Sequence, residues 1–418
     1  MNKNLKKEIE NIAKQAKAAA GPLAILSSAI KNAVLVDLAA VLLSDKAVIL
    51  KANRKDIQAA KSRGKAFIDR LSLDEARIGH MADSLLMIAK LKDPVGEVMH
   101  AWNTPVGLSI QKVRVPIGVV SIIYESRPNV TADCIGLCFK SGNSLILRGG
   151  SQALNSNRAI FNLFHEVMQK HNLAEGVINL VTTTNHQAID YLLKLNNYID
   201  LVIPRGGEEL IKKVVSSSRI PVIKHYKGIC HVYVDEDADL NMAQSICWNA
   251  KCQRPGVCNA MESMLVHRDV AVRFLPGMLK KFNQAKVQIR GCAFTQKIAK
   301  WVKPATEKDY RTEYADLILS VKVVDSLDAA IAHINQYGSH HSDSIVTDDR
   351  NAADKFLKQV DSACVYLNAS TRFTDGGQFG MGAEIGISTD KLHARGPMGL
   401  EELTTYKYMV YGAGQVRE

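Results

Sequence analysis

From residue 119 to about 208 the sequence alternates short, wholly apolar runs with stretches of helical periodicity. Runs 119–124, 144–147, 177–181 and 201–203 read as buried strands, and 131–140, 153–171, 187–195 and a segment starting at Glu208 read as helices. Near-continuous apolar strands joined by helix-length connections are the pattern of a parallel sheet covered on both faces. Such sheets bind ligands at the carboxyl ends of their strands. The chain is therefore expected to be of the α/β class, with this half built for a nucleotide. A second alternation starts at strand 231–234 and continues with helix 241–249, strand 263–266, helix 270–282, strand 317–324 and helix 328–337, which predicts a separate α/β lobe.

The flanks differ. Residues 3–91 carry apolar positions at helical spacing, with Ile9, Ile12 and Ala13 on one face and Leu38, Leu42 and Leu43 on another, and predict a run of amphipathic helices. Residues 104–115 alternate around Pro105-Val106-Gly107, then Pro116-Ile117-Gly118 leads into the first strand, the pattern of a hairpin. Residues 404–411 are again β-prone, after a glycine-rich stretch that begins near Arg372.

Composition narrows the function classes. Apolar residues make up 47 % and charged residues 23 %, in the range of a globular protein, and 53 basic against 42 acidic residues leave a net charge of +11. That surplus favours anionic ligands. The basic residues are dispersed and aromatic residues are only 6 %, so no nucleic-acid face is expected. The longest apolar stretches, such as 34–43 and 115–124, fall short of the roughly 20 residues of a membrane span, and no membrane association is expected. The N-terminal residues lack the apolar core of a signal peptide, and the eight cysteines follow no disulfide or zinc spacing. Reduced thiols and a cytoplasmic location follow as expectations.

One loop stands out for chemistry. In Asn249-Ala-Lys-Cys-Gln-Arg-Pro-Gly-Val-Cys-Asn-Ala260, Cys258 follows a Pro-Gly pair that holds an irregular backbone. A thiol there can be accessible and surrounded by N–H donors, which suits covalent acyl chemistry; the alternative is a buried cysteine beside a tight turn. Cys252 falls in the preceding helix or its last turn, and Cys134 and Cys138, one helical turn apart, read as core. Two strand ends suit phosphate: Arg205-Gly206-Gly207 before a helix and Arg148-Gly149-Gly150 after a strand. His340 and His341 are adjacent, so their side chains diverge, and no metal site is expected.

These motifs together resemble the gamma-glutamyl phosphate reductases, a family of the aldehyde dehydrogenase superfamily. The resemblance rests on Val115-Pro-Ile-Gly-Val-Val, Tyr124-Glu-Ser-Arg-Pro-Asn-Val130, Lys224-His-Tyr-Lys-Gly-Ile-Cys-His-Val-Tyr-Val-Asp235, Gln253-Arg-Pro-Gly-Val-Cys-Asn259, Tyr337-Gly-Ser-His-His-Ser342 and Leu392-His-Ala-Arg-Gly-Pro-Met-Gly399. It spans nearly the whole chain. It implies a Rossmann-type cofactor domain over 1–227 with an oligomerisation hairpin near 103–116, a catalytic domain over 228–366, and a return over 367–418 to the cofactor domain and an oligomerisation arm. It further implies that Cys258 attacks L-glutamyl 5-phosphate, expels inorganic phosphate and forms a thioester, which NADPH reduces to glutamate 5-semialdehyde in the second step of proline synthesis.

The same resemblance places other residues. Hydrolytic aldehyde dehydrogenases carry a general-base glutamate about 34 residues before the cysteine; here His225 stands 33 residues before Cys258, so the carboxylate that activates water is missing. Arg148 takes the place of a lysine at the adenosine ribose, which fits a 2′-phosphate and hence NADP(H), and Gly206-Gly207 take the pyrophosphate turn. Glu313 matches the glutamate that holds the nicotinamide ribose, although the Phe-Gly-Pro that usually follows is absent. The oxyanion donor falls on Arg127 or, with a two-residue shift, on Asn129. A homodimer or homotetramer is implied, and the lability of the acyl phosphate suggests association with glutamate 5-kinase.

Overall fold

Every residue of the strand Val119–Tyr124 is buried, because all six side chains are apolar or small and both faces are covered. The structure, a computed structural model, describes residues 3–417; residues 1, 2 and 418 of the sequence-based segments lie outside it. The chain divides into two compact units. One contains the described residues up to Lys224, then Gly380–Gly386 and everything from Met398; the other contains His225–Phe379 and Ile387–Pro397.

In the first unit four parallel strands lie in the order Ile178–Leu180, Ser144–Arg148, Val119–Tyr124, Leu201–Arg205. The first three step one way across the sheet, and the fourth returns to the other side of Val119–Tyr124. The strand order therefore reverses between Val119–Tyr124 and Leu201–Arg205, and the connections that leave their carboxyl ends run to opposite sides there. The helices Lys3–Ala24, Gln187–Leu192 and Glu208–Ser217 cover one face through Ile9, Ala13, Leu192 and Val214, packed on Val119, Ile146 and Val202. Four more helices lie between Ser28 and Lys90, as the helical spacing predicts. Asp74 caps the last, accepting from the Arg77 N–H.

A separate antiparallel sheet belongs to the same unit. Strands Val98–Asn103 and Ser109–Pro116 form a hairpin whose turn falls at 104–108 and whose first strand lies ahead of the expected 104–115, and Thr404–Tyr411 pairs along the whole of Ser109–Pro116, from Thr404 opposite Pro116 to Tyr411 opposite Ser109.

The second unit is built on seven parallel strands in the order Lys303–Pro304, Gln288–Gly291, Ile318–Val324, Met261–His267, Cys230–Val234, Ser342–Val346, Cys364–Leu367. Helices Leu240–Cys252 and Arg268–Gln284 pack on it through Ala243, Cys247, Phe274 and Met278. The segment predicted to leave at 367 stays with this unit as far as Phe379, crosses for Gly380–Gly386, and returns for Ile387–Pro397. Asn259 accounts for the delay: it binds the carbonyls of Arg372 and Thr374 and holds the stretch against the cysteine loop. Among the described residues no helix is long and apolar enough to cross a membrane.

Candidate active site

Strands Cys230–Val234, Met261–His267, Ile318–Val324 and Ser342–Val346 run parallel, so residues just ahead of each gather along one edge of the sheet. His225, Cys258, Glu313 and His341 are such residues. This is the edge of strand beginnings, whereas the nucleotide end of the first unit is the edge of strand ends.

The backbone of Cys258 is held from behind. A Cβ on Gly228 would stand 1.9 Å from the Cys258 carbonyl oxygen and 2.5 Å from its Cα, so only glycine lets residues 228–230 run against the loop. Two residues on, Cys230 Sγ donates to that carbonyl at 3.2 Å. Burial pushes the Cys230 thiol well above its usual range, which keeps it protonated and able to donate. The Ala260 N–H bonds to the Val257 carbonyl at 3.0 Å and closes the turn. Cys258 itself is half-buried.

Residues on either side of the cysteine are clamped by the segment after strand Cys364–Leu367. Buried Asn259 donates through Nδ2 to the Thr374 carbonyl at 2.8 Å, and its own carbonyl accepts from Thr371 Oγ1 at 2.7 Å. The Arg372 guanidinium binds Asn259 Oδ1 and, at 2.9 Å, Gln253 Oε1, so one cation spans both ends of the loop. Burial lowers the Arg372 pKa and the neighbouring Arg254 lowers it further, while Cys258 and Asp375 oppose them. The sequence singled Arg372 out only as the start of a glycine-rich stretch; no spacing within the chain links it to Cys258, 114 residues earlier.

His225 is half-buried, with Nδ1 2.9 Å from the Ile387 carbonyl. A carbonyl only accepts, so Nδ1 is the donor in this contact. Its ring meets that of His341 edge-on at 5.7 Å, and His341 Nδ1 lies 3.8 Å from Cys230 Sγ. The two adjacent histidines diverge as expected: His340 Nδ1 meets the Asp361 carbonyl and His341 Nδ1 meets Ser342 Oγ. All eight cysteines are free thiols, and Cys134 and Cys138 are buried in helix Asn129–Lys140.

Beneath the loop lies a buried ion pair. Lys251 Nζ, at the end of helix Leu240–Cys252, is 2.6 Å from Glu262 Oε2, on strand Met261–His267, and both side chains are excluded from solvent. The other Glu262 oxygen accepts the Ala315 N–H at 2.9 Å, two residues after Glu313. Lys251 and Glu262 lie 11 residues apart among other polar residues, Asn249, Gln253, Arg254, Asn259 and Ser263, so nothing local in the sequence marks them as a pair.

In the first unit the remaining candidates cluster where the strand order reverses. The Glu125 N–H bonds to the Arg205 carbonyl at 3.0 Å, tying the ends of the two strands. A Cβ on Gly206 would come within 2.6 Å of the Glu125 carboxyl carbon, and Glu125 Oε1 accepts the Gly207 N–H at 3.2 Å. Gly207 precedes helix Glu208–Ser217, and its N–H thus already serves an anionic oxygen. Arg127 is exposed, its N–H on the Glu125 carbonyl, while Asn129 opens helix Asn129–Lys140 with Nδ2 on Asp133 Oδ2 at 3.3 Å.

Arg148 is buried, with Nη1 on the Gly149 carbonyl at 3.1 Å and with Nε and Nη2 without hydrogen-bond partners. Burial lowers its pKa. Orphaned guanidinium donors cost free energy until an acceptor meets them. A phosphate-bearing cofactor supplies such acceptors, so the donor set at the strand ends fits one.

The comparisons agree with this architecture. The aldehyde dehydrogenase family model matches residues 1–295. A gamma-glutamyl phosphate reductase of Caldanaerobacter subterraneus subsp. tengcongensis is 55 % identical over 98 % of this chain and 100 % of its own, and one of Thermodesulfovibrio yellowstonii is 54 % identical over 99 % and 100 %. The crystal structure of the gamma-glutamyl phosphate reductase of Thermotoga maritima is 46 % identical, covers 98 % of this chain and 100 % of its own, and superimposes with a TM-score of 0.96. An acetylating aldehyde dehydrogenase from Geobacillus thermoglucosidasius, 15 % identical with a TM-score of 0.71 over 99 % and 98 % of the two chains, shares the fold. On sequence and fold alike, the chain belongs to the aldehyde dehydrogenase family, within its gamma-glutamyl phosphate reductase branch.

Proposed function

We propose that this chain reduces L-glutamyl 5-phosphate to glutamate 5-semialdehyde, a step of proline biosynthesis, through a thioester on Cys258. The observation that supports Cys258 most is its pinned backbone: Gly228 and Cys230 hold its carbonyl, and Arg372 spans Gln253 and Asn259 around it. The thiolate adds to the acyl carbon, the C–O bond to phosphate breaks, and inorganic phosphate departs. A bound nicotinamide cofactor supplies the hydride that reduces the thioester. The thiohemiacetal then collapses, breaking the C–S bond to release the aldehyde and restore the thiol. Phosphate is a good leaving group, so the site needs donors for an oxyanion more than a strong acid, and Arg127 and Asn129 are the two candidates.

His225 occupies the position of the missing base carboxylate and, in this reading, helps bind the substrate's phosphate or carboxylate. Arg148 with its orphaned donors is the residue we assign to a 2′-phosphate, hence NADP(H), with Gly206 and Gly207 at the pyrophosphate and Glu313 at the nicotinamide ribose. The unit up to Lys224, with Gly380–Gly386 and the residues from Met398, acts in this reading as cofactor domain and arm, and His225–Phe379 with Ile387–Pro397 acts as catalytic domain. Pairing of Thr404–Tyr411 with the hairpin supports its use as an arm in a homodimer or homotetramer. The enzyme is cytoplasmic in this reading and takes its labile substrate from glutamate 5-kinase.

The test runs the reaction backwards, following NADP reduction from glutamate semialdehyde with and without inorganic phosphate. Turnover that needs phosphate and falls at least ~10⁴-fold in Cys258→Ala is expected. Turnover without phosphate would mean that water takes the acyl group and would overturn the reading.

A further inference from the structure

The buried pair Lys251–Glu262 takes no part in the chemistry above, yet it touches both sides of the site. Lys251 is the last buried residue of the helix that leads into the cysteine loop, and Glu262 is the second residue of the strand that leaves it. Their contact at 2.6 Å closes the base of the loop. Glu262 also accepts the Ala315 N–H at 2.9 Å, and Ala315 is a left-handed residue, with φ of 50°. A non-glycine residue occupies that region only when its surroundings impose it. The Ala315 carbonyl in turn lies 3.6 Å from where a Cβ on Gly256 would stand, two residues before Cys258. One carboxylate therefore joins the root of the cysteine loop to the turn that carries Glu313.

We propose that Lys251–Glu262 is a positioning pair: through the Ala315 N–H it fixes the turn that holds Glu313 at a set place relative to the Cys258 loop, and so governs cofactor binding rather than thiol chemistry. The proposal rests on the assignment of Glu313 to the nicotinamide ribose. A buried ion pair adds little stability over apolar residues of similar volume, so a purely structural role gives no reason for its charges. The second Glu262 oxygen gives one, since a backbone N–H in a strained turn needs an acceptor that two apolar side chains cannot offer.

The test compares two charge-free double variants that differ only in that acceptor. K251M/E262Q keeps an oxygen for the Ala315 N–H, and K251M/E262L does not. With both folded, as checked by thermal melting, the Leu variant is expected to raise the KM for NADPH about tenfold, as for one misplaced hydrogen-bonding group, while the Gln variant stays within about threefold of wild type. Carbamidomethylation of Cys258 by iodoacetamide should proceed at similar rates in both. Deuterium uptake at the Ala315 amide should be slow in wild type and in the Gln variant, and fast in the Leu variant. Equal NADPH constants in the two variants, or a rapidly exchanging Ala315 amide in wild type, would overturn the proposal. The exchange measurement needs no cofactor and decides the point if the Leu variant fails to fold. Slow exchange in wild type with no NADPH-linked turnover would instead reject the functional reading and leave the pair's hold on the turn standing.

Discussion

Each unit backs its candidate site with a glycine and a carboxylate, and the two backings differ in kind. At Gly228 the atoms that exclude a side chain are the backbone of Cys258, whereas at Gly206 they are the end of the exposed Glu125 side chain. The carboxylates follow the same division. Glu262 is 1 % exposed and shared between Lys251 and Ala315, while Glu125 is exposed and reaches a single backbone N–H. A nucleophile must meet a reacting carbon within a fraction of an ångström, which calls for backbone against backbone. A cofactor that must enter and leave is better served by a side chain that can swing.

The comparison breaks first at Gly228. The Gly228→Ala substitution puts a methyl group 1.9 Å from the Cys258 carbonyl oxygen, so the loop itself has to move. Activity is expected to fall at least ~100-fold, with a loss of about 2–4 kcal/mol in denaturant unfolding. Near-normal kinetics in a folded Gly228→Ala enzyme would show that the cysteine loop is as forgiving as the Gly206–Gly207 turn.

The buried carboxylate sharpens the contrast through pH. Burial, opposed by the Lys251 charge, raises the Glu262 carboxyl from 4.5 to about 7, and Glu313 adds repulsion. Between those values the folded chain holds the proton more tightly than the unfolded chain does. The contribution of Glu262 to stability is therefore complete below pH 4.5 and lost as pH rises through about 7. Lys251, lowered chiefly by burial, contributes with the opposite slope. Wild type should lose stability relative to K251M/E262Q between pH 5 and pH 8, on the order of 1–2 kcal/mol by chemical denaturation. Parallel pH profiles would show that Glu262 ionises as readily folded as unfolded.

The smallest effect is expected at Gly206. The Gly206→Ala substitution meets the Glu125 carboxyl, which can turn aside, so stability should change by less than ~0.5 kcal/mol. The displaced carboxylate frees the Gly207 N–H, and the KM for NADPH should shift only about twofold to threefold in steady-state assays. A Gly206→Ala loss as large as that of Gly228→Ala would remove the distinction.

Where a signal is local, the chain carries it openly. The strands Val119–Tyr124 and Thr404–Tyr411 lie where apolar content and β propensity put them, and helix Leu240–Cys252 ends at Cys252, beside the irregular loop. The irregular loop that leaves Cys258 half-buried was legible because Pro255-Gly256 breaks the helix next to it. Arg372 was not, because its partners Gln253 and Asn259 lie 119 and 113 residues away and nothing in its neighbourhood marks it. The strands Gln288–Gly291 and Lys303–Pro304 escaped for another reason: one has four residues and the other two, too few for a period to show.

The sequence by itself determined the α/β class, the alternation of elements, the irregular loop at Cys258 and the family, since periodicity, turn chemistry and motif spacing are properties of neighbouring residues. Tertiary structure alone decided the order of the seven strands, the crossing at Gly380–Gly386, the lock of Gly228 on Cys258 and the reach of Glu262 to Ala315. Those depend on which faces meet once loops have closed. The choice is made by packing and by the cost of leaving a buried charge or N–H without a partner, and neither is written at any one position in the chain.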